Sequence, residues 1–396
     1  MRPVTVIAVS GSLLKYSSHG ISTRPVLSRS YTTAAAATSF VYKKRLDTTP
    51  LMSSRLAGRQ WLPGGRSSQN KYPQYIASPR DNFPAVYTLP SAIKSESLDE
   101  DTMRKLSETA RDLIERKLHI HGAILFTDMS LINADDFSRF MNGLGYSLAG
   151  YEGGTAVRHN VASSVLTASN DPPSYTIEPH NEMSYTDNYP LKIFFYCEIP
   201  PGEGCGGETV ITDVRKILPR VDNHIVDKVR EHGIQYVRHL PSKSPGGYTS
   251  WQEAFFTENK ADIERFMEKR NRTYCWNEDG SLSYWYTLPA FVKHPKTGEE
   301  VWFNQLHSHN ASYFKDHPTW KNRNISDDRY PFHSYYGDGS VVEPGTLQHL
   351  RDIAWQLSVG FQLKKSDMLV LDNVYTQHAR LGFTGQRKLL VSIAMD

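Results

Sequence analysis

The chain has 396 residues and a net charge of +3, with 39% hydrophobic and 22% charged residues, an ordinary balance for a globular protein of one large domain or two smaller ones. No apolar run approaches the ~18 residues that a membrane-crossing helix needs. The charge is uneven: residues 1–80 hold twelve Lys or Arg against one acid, Asp47, so of the 45 basic and 42 acidic residues 33 and 41 fall beyond them, and a remainder of −8 has no electrostatic footprint for nucleic acid.

Met1–Leu46 holds no Asp or Glu but several arginines and many Ser, Thr and Ala residues, the make-up of a mitochondrial transit peptide. A basic tail on a cytoplasmic protein is the alternative. Residues 51–80, with Gly64-Gly65-Arg66-Ser67-Ser68-Gln69-Asn70, read as linker. Residues 1–80 are therefore expected to be a disordered leader, and 81–396 the folded domain. Leu98–Leu118 carries Met103, Leu106, Ala110, Leu113 and Ile114 at helical spacing behind Asp99, Glu100 and Asp101, acids where a helix dipole prefers them. Gly122–Thr127 reads as a buried strand. Asn133 caps a second helix through Met141, with Asp136 in a box-like position. A third helix spans Val221–Glu231 and stops at Gly233. Short strands follow at Ile234–Val237, Tyr284–Leu288, Val301–Phe303, Met368–Leu371 and Leu389–Ala394. Many short strands, with helices gathered early and in an insert, predict a mainly β, α+β fold: a jelly roll flanked by helices.

Two motifs are dismissed. Gly202-Glu203-Gly204-Cys205-Gly206-Gly207 matches G-x-G-x-x-G, but that motif cradles a pyrophosphate only between a strand and a helix. Here Glu208–Thr212 is strand-like, so the glycines make a loop between strands. Cys197, Cys205 and Cys275 are the only cysteines, and their spacing fits no zinc pattern.

The chemistry is concentrated in two segments. Glu178-Pro179-His180-Asn181-Glu182-Met183-Ser184-Tyr185 places His180 and Glu182 two apart, so on an extended strand they share one face while Asn181 turns away. About two hundred residues later comes His378, and Arg387 follows it across Thr384-Gly385-Gln386. Two imidazoles and one carboxylate on one face of an iron leave positions open for a co-substrate and dioxygen. A guanidinium fork matches a carboxylate with two parallel bonds. The set reads as a non-haem iron, 2-oxoglutarate-dependent oxygenase, with a hairpin returning Arg387 to the side of His378. A His-x-Glu alone is a weak signal, since the chain has fifteen histidines and His119/His121 and His307/His309 are also two apart.

The surroundings strengthen it. Phe83-Pro84-Ala85-Val86, Ala134-Asp135-Asp136-Phe137, Pro179–Tyr185, Lys192–Ile199, Gly206-Gly207-Glu208-Thr209, Trp302-Phe303-Asn304, Gly337-Asp338-Gly339 and Asp372–Arg387 resemble, in order and spacing, the clavaminate synthase-like branch of the taurine dioxygenase (TauD/TfdA) family. The resemblance implies a double-stranded β-helix, with His180, Glu182 and His378 as iron(II) ligands. Arg387 and Thr209 would hold 2-oxoglutarate; Thr209 is alternatively no more than a strand residue. Most of the wider family has aspartate where Glu182 stands, and glutamate marks the branch. Dioxygen is the second co-substrate, ascorbate a supporting reductant, and succinate and carbon dioxide the co-products. The default reaction is hydroxylation of an unactivated C–H bond in a small molecule, amino-acid-like or from specialised metabolism. Arg380 would clamp a substrate carboxylate or pair with an acidic neighbour. Asn181, Tyr185 and Asn304 are further substrate candidates near the mouth. The aromatic-rich stretch from Gly233 to Val342 would cover the site or be a merely structural insert. A catalytically silent barrel that binds a small molecule is the competing reading.

Overall fold

Local signals start the elements, and two covered sheets bury them. The computed structural model describes residues 42–45, 77, 79–89, 98–149, 160–168, 171–243, 249–315, 317, 320 and 323–396. Residues 1–41 and 46 of the transit-peptide segment and most of the linker lie outside these. The first helix spans Glu100–His121, two residues later at its start and three later at its end than expected. Asp99 caps it by accepting the Thr102 N–H at 2.7 Å. The second runs Ala134–Leu144, where Asn133 Oδ1 accepts the Asp136 N–H at 3.0 Å. Asp136 reaches back to the N–H of Ile132 at 3.0 Å, one residue before the cap. The third is Asn223–His232, ended by Gly233.

An eight-stranded sheet runs in the order Lys43–Lys44, Ala85–Thr88, Ala123–Thr127, Met368–Asp372, Lys192–Ile199, Lys388–Ala394, Val165–Thr167, Asn160–Ala162. All neighbours are antiparallel except Ala85–Thr88 beside Ala123–Thr127. Alternate side chains serve two cores. Ile124, Phe126, Phe194, Tyr196, Met368 and Val370 pack with Leu106, Phe137 and Phe140 of the first two helices. Leu125, Ile193, Phe195, Leu369 and Leu371 face a second core. A sheet covered on both faces reads as continuous apolar runs, as Met368–Leu371 does.

A four-stranded antiparallel sheet, Ser358–Phe361, Thr209–Asp213, Thr376–Arg380, Ile177–His180, is the smaller wall. Helix Pro344–Gln356 lies against it through Trp355, which packs with Val210, Ala379 and Leu381. Among the described residues the sheets do not close into one barrel. The insert builds its own sheet, Thr273–Trp276, Leu282–Leu288, Ile234–Leu240, Phe332–Tyr336, beside a hairpin of Phe291–Lys293 and Glu300–Trp302.

Two features differ from the sequence reading. Tyr42–Arg45, inside the stretch assigned to the leader, joins the large sheet: Lys43 and Lys44 pair with Thr88 and Tyr87, and the Tyr42 ring sits 4.9 Å from that of Phe126. Arg387 is not on a hairpin with His378. Strand Thr376–Arg380 already has neighbours on both edges, so the chain leaves the small sheet after Arg380 and enters the large one at Lys388.

Candidate metal centre and co-substrate pocket

His180 ends strand Ile177–His180, and His378 lies directly opposite it on the neighbouring strand. Their rings are 4.3 Å apart between centroids. Glu182 is reached differently from the extended-strand expectation. The strand stops at His180, and residues 182–185 form a turn, in which Asn181 O accepts from Ser184 N and Oγ at 3.3 and 3.1 Å. The turn brings the Glu182 carboxylate to 3.5 Å from His378 Nε2. One ligand atom from each of His180, Glu182 and His378 lies within 4.8 Å of the others. Three borderline-to-hard donors so placed fit a first-row divalent metal. His180 Nδ1 donates to Glu178 O at 2.8 Å, the type of support that fixes a ligand imidazole's tautomer and leaves Nε2 for a metal. His378 Nδ1 is buried with no hydrogen-bond partner.

The support comes from residues that sequence reasoning did not single out. Asn373 Oδ1 accepts the Glu182 N–H at 2.8 Å, and its Nδ2 donates to Glu182 O at 2.9 Å and Pro190 O at 2.7 Å. Glu178, two residues before His180 on the same strand, pairs with Arg351 at 2.9 Å; each side chain is 1% exposed. Arg351 also donates to His307 O and Ser312 Oγ. None of these partners is near in sequence, so no local pattern could announce them.

A cavity of about 330 Å³ opens at the three residues, between the two sheets and beneath the insert. Arg387 and Thr209 both line it. Arg387 donates from Nε to Gly207 O at 2.9 Å and from Nη2 to Thr209 Oγ1 at 3.3 Å. It makes no ion pair among the described residues. Burial, followed by the nearby Arg380 charge, lowers its guanidinium to about 10. A desolvated cation beside a hydroxyl suits one end of a dicarboxylate. The glycine run is a loop between strands Lys192–Ile199 and Thr209–Asp213. Gly207, at φ +75°, leaves the space that Arg387 fills, since a Cβ there would stand 2.8 Å from Arg387 Cδ.

The substrate candidates divide. Arg380 lines the cavity, but its Nη atoms donate to Asp171 O, Pro172 O and Tyr175 O at 3.3, 2.8 and 2.9 Å. It thereby pins a loop, with its Nε unpartnered. Tyr185 lines the cavity as a packed ring stacked 4.6 Å from His309. Asn181 and Asn304 are corrected: both are fully buried and neither lines the cavity. Asn181 Nδ2 is spent on Asn373 O at 2.5 Å. Asn304 bonds Ala290 O at 3.0 Å and Leu306 N at 3.1 Å, fixing its own loop. Its neighbour Gln305 is on the cavity instead. The insert supplies Gln305, Ser308, His309, Tyr313 and Phe332 to the lining, so it does cover the site.

Residues 85–393 match the model of the taurine catabolism dioxygenase TauD, TfdA family. The chain is 32% identical over 321 residues to a clavaminate synthase-like protein of Arabidopsis thaliana, covering 78% of this chain and 93% of that one. It is 30% identical over 283 residues to the dapdiamide synthesis protein DdaC of Enterobacter agglomerans, covering 71% and 84%. Among solved structures it is similar to PvcB, an iron, alpha-ketoglutarate-dependent oxygenase from an isonitrile synthetic pathway, with a TM-score of 0.43, 13% identity, and 87% and 94% of the two chains covered. The chain belongs to the TauD/TfdA family. It is an oxidoreductase of that family, a dioxygenase.

Proposed function

We propose that His180, Glu182 and His378 hold the iron, that Arg387 and Thr209 hold the far carboxylate of 2-oxoglutarate, and that the reaction hydroxylates an unactivated C–H bond of a small molecule. The observation that carries this reading is the meeting, in one cavity, of three ligand atoms within 4.8 Å of one another and a guanidinium with no ion-pair partner among the described residues. When bound, iron would supply the oxidative chemistry, with dioxygen giving one oxygen atom to the substrate and the other to the keto acid, which would leave as succinate and carbon dioxide. The chain does the placing. Glu178 O orients His180, Asn373 fixes the backbone of Glu182, and Arg387, bonded to Thr209, is placed to hold the far carboxylate of 2-oxoglutarate. The walls exclude water and hold substrate near the metal. The fold reading that accompanies this takes the eight- and four-stranded sheets as the two walls of a double-stranded β-helix.

A substrate in the amino-acid size range, or an intermediate of specialised metabolism, agrees with the cavity volume and with relatives named for clavaminate and dapdiamide synthesis. We also place the protein in mitochondria, from the acid-poor composition of residues 1–46; a reporter fused to residues 1–50 that stays diffuse in the cytosol refutes this.

Purified protein with iron(II), ascorbate and 2-oxoglutarate is expected to release succinate slowly without substrate. His180→Ala should fail to retain iron. Arg387→Ala should retain iron but need far more 2-oxoglutarate. Wild-type turnover from either variant overturns the assignment, and an enzyme that never releases succinate favours a binding module.

A further inference from the structure

Ser308 and His309 are adjacent on the cavity wall that the insert contributes. They are 8% and 1% exposed, and Ser308 Oγ and His309 Nε2 are buried with no hydrogen-bond partner. Native proteins rarely leave buried polar atoms unpaired, and two on consecutive residues of one wall call for a cause. The His309 ring is held in plane by Phe332 at 4.2 Å and Tyr185 at 4.6 Å, both stacked, with Tyr236 edge-on at 5.4 Å. Stacking fixes the plane but not the edge that meets the cavity. A flip of the ring, like a rotation of the Ser308 hydroxymethyl group, breaks no hydrogen bond among the described residues. Both can turn to meet a ligand.

Burial, then the Arg238 and His333 charges, pushes His309 well below the usual histidine range, so the imidazole is neutral. A neutral imidazole offers one donor and one acceptor, and a serine hydroxyl offers both. Such a wall suits an uncharged group that also donates and accepts. It has little to offer a carboxylate. Arg238 does not line the cavity, the Arg380 Nη atoms are committed to three carbonyls, and Arg387 stands with Thr209.

We infer that Ser308 and His309 are the specificity-determining pair of this site, and that the substrate presents to them an uncharged hydrogen-bonding group, a carboxamide or an alcohol, beside a part that packs on Tyr185, Tyr313 and Phe332. The inference rests on the dioxygenase site proposed above.

The test uses four probes on one skeleton: 3-phenylpropanamide, 3-phenylpropanol, 3-phenylpropanoate and propylbenzene. Calorimetry measures their binding to the protein loaded with iron(II) and saturating 2-oxoglutarate, without oxygen. The amide and alcohol are expected to bind at least about 10-fold tighter than the other two, as a wall with unpaired polar groups discriminates. Ser308→Ala and His309→Phe should each shrink that margin, and His309→Gln, which restores a donor and an acceptor, should recover it. A preference for the carboxylate, binding of none of the four, or an undiminished margin in both Ser308→Ala and His309→Phe overturns the inference. Succinate release by the wild-type protein is read separately. Its absence overturns the underlying site as well, whereas release without probe discrimination overturns the pair alone.

Discussion

Replacing Gly207 with alanine should damage co-substrate binding while sparing the metal. Gly207 has φ +75°, and an added Cβ would stand 2.8 Å from Arg387 Cδ and 3.1 Å from Phe383 Cβ. Two costs follow. Holding alanine in the left-handed region costs ~1–2 kcal/mol of stability. The collision moves the guanidinium off the Gly207 carbonyl and the Thr209 hydroxyl, and a misplaced charge-assisted bond is worth ~1.5–3 kcal/mol, about 10- to 100-fold in 2-oxoglutarate affinity. Gly204 supplies the control. Its φ is +71°, but nothing lies within 4 Å of its added Cβ, so Gly204→Ala carries the backbone cost alone. Anaerobic calorimetry of 2-oxoglutarate on the iron-loaded protein, beside thermal melts, separates the two. Both variants should melt earlier, and only Gly207→Ala should bind 2-oxoglutarate weakly. Equal affinities for wild type and Gly207→Ala, or an equal loss in both variants, would refute the reasoning.

Asn373→Ala removes the three hydrogen bonds that fix Glu182 and Pro190. Iron affinity, read by chelator competition, should fall by about 10- to 100-fold; a lower melting temperature with unchanged iron affinity would make Asn373 purely structural. Arg351→Met strands the buried Glu178 carboxylate and should cost ~3–5 kcal/mol in urea unfolding. Adding Glu178→Gln should restore much of it, and a double variant no more stable than the single contradicts that account. Asp367 is 2% exposed, and burial raises its carboxyl from 3.8 to about 7 against a backbone bond from Lys364. A carboxyl raised in the folded state gives full stability below the unfolded value and loses it as pH climbs through the folded one. The loss is ~4 kcal/mol at about 1.4 per tenfold. Asp367→Asn should therefore gain stability over wild type between about pH 4 and pH 7 and hold the gain above; a difference independent of pH sinks it.

Much of the candidate metal centre was legible because its chemistry is carried by residue type. His180, Glu182, His378 and Arg387 are residue types that can ligate a metal or clamp a carboxylate, and their order is read directly along the chain. The route by which they meet was less legible. Alternation suggested that Glu182 shares a strand face with His180, yet its backbone belongs to a turn held by Asn373, which is 191 residues away. The return of Arg387 looked like a hairpin, since no local signal reveals that both edges of Thr376–Arg380 are occupied. Helix Pro344–Gln356 is absent from the sequence reading, and proline at its first helical position begins it. Asn181 and Asn304 looked like mouth residues because polarity near a site suggests contact. Their amides are instead consumed by backbone. Lys192–Ile199 was recognised only as a motif, although its apolar run is the central strand facing both cores.

The crossing of the chain between Arg380 and Lys388 has a mechanical consequence. All three metal-binding candidates belong to the small sheet or the turn beside it, while Arg387 stands one residue before a large-sheet strand. The gap between a bound metal and the clamp would thus be a gauge set by how far apart two sheets rest on filling such as Ile211 and Leu369, which do not line the cavity. Trimming that filling would detune the enzyme for keto acids of one length without altering any atom that touches them.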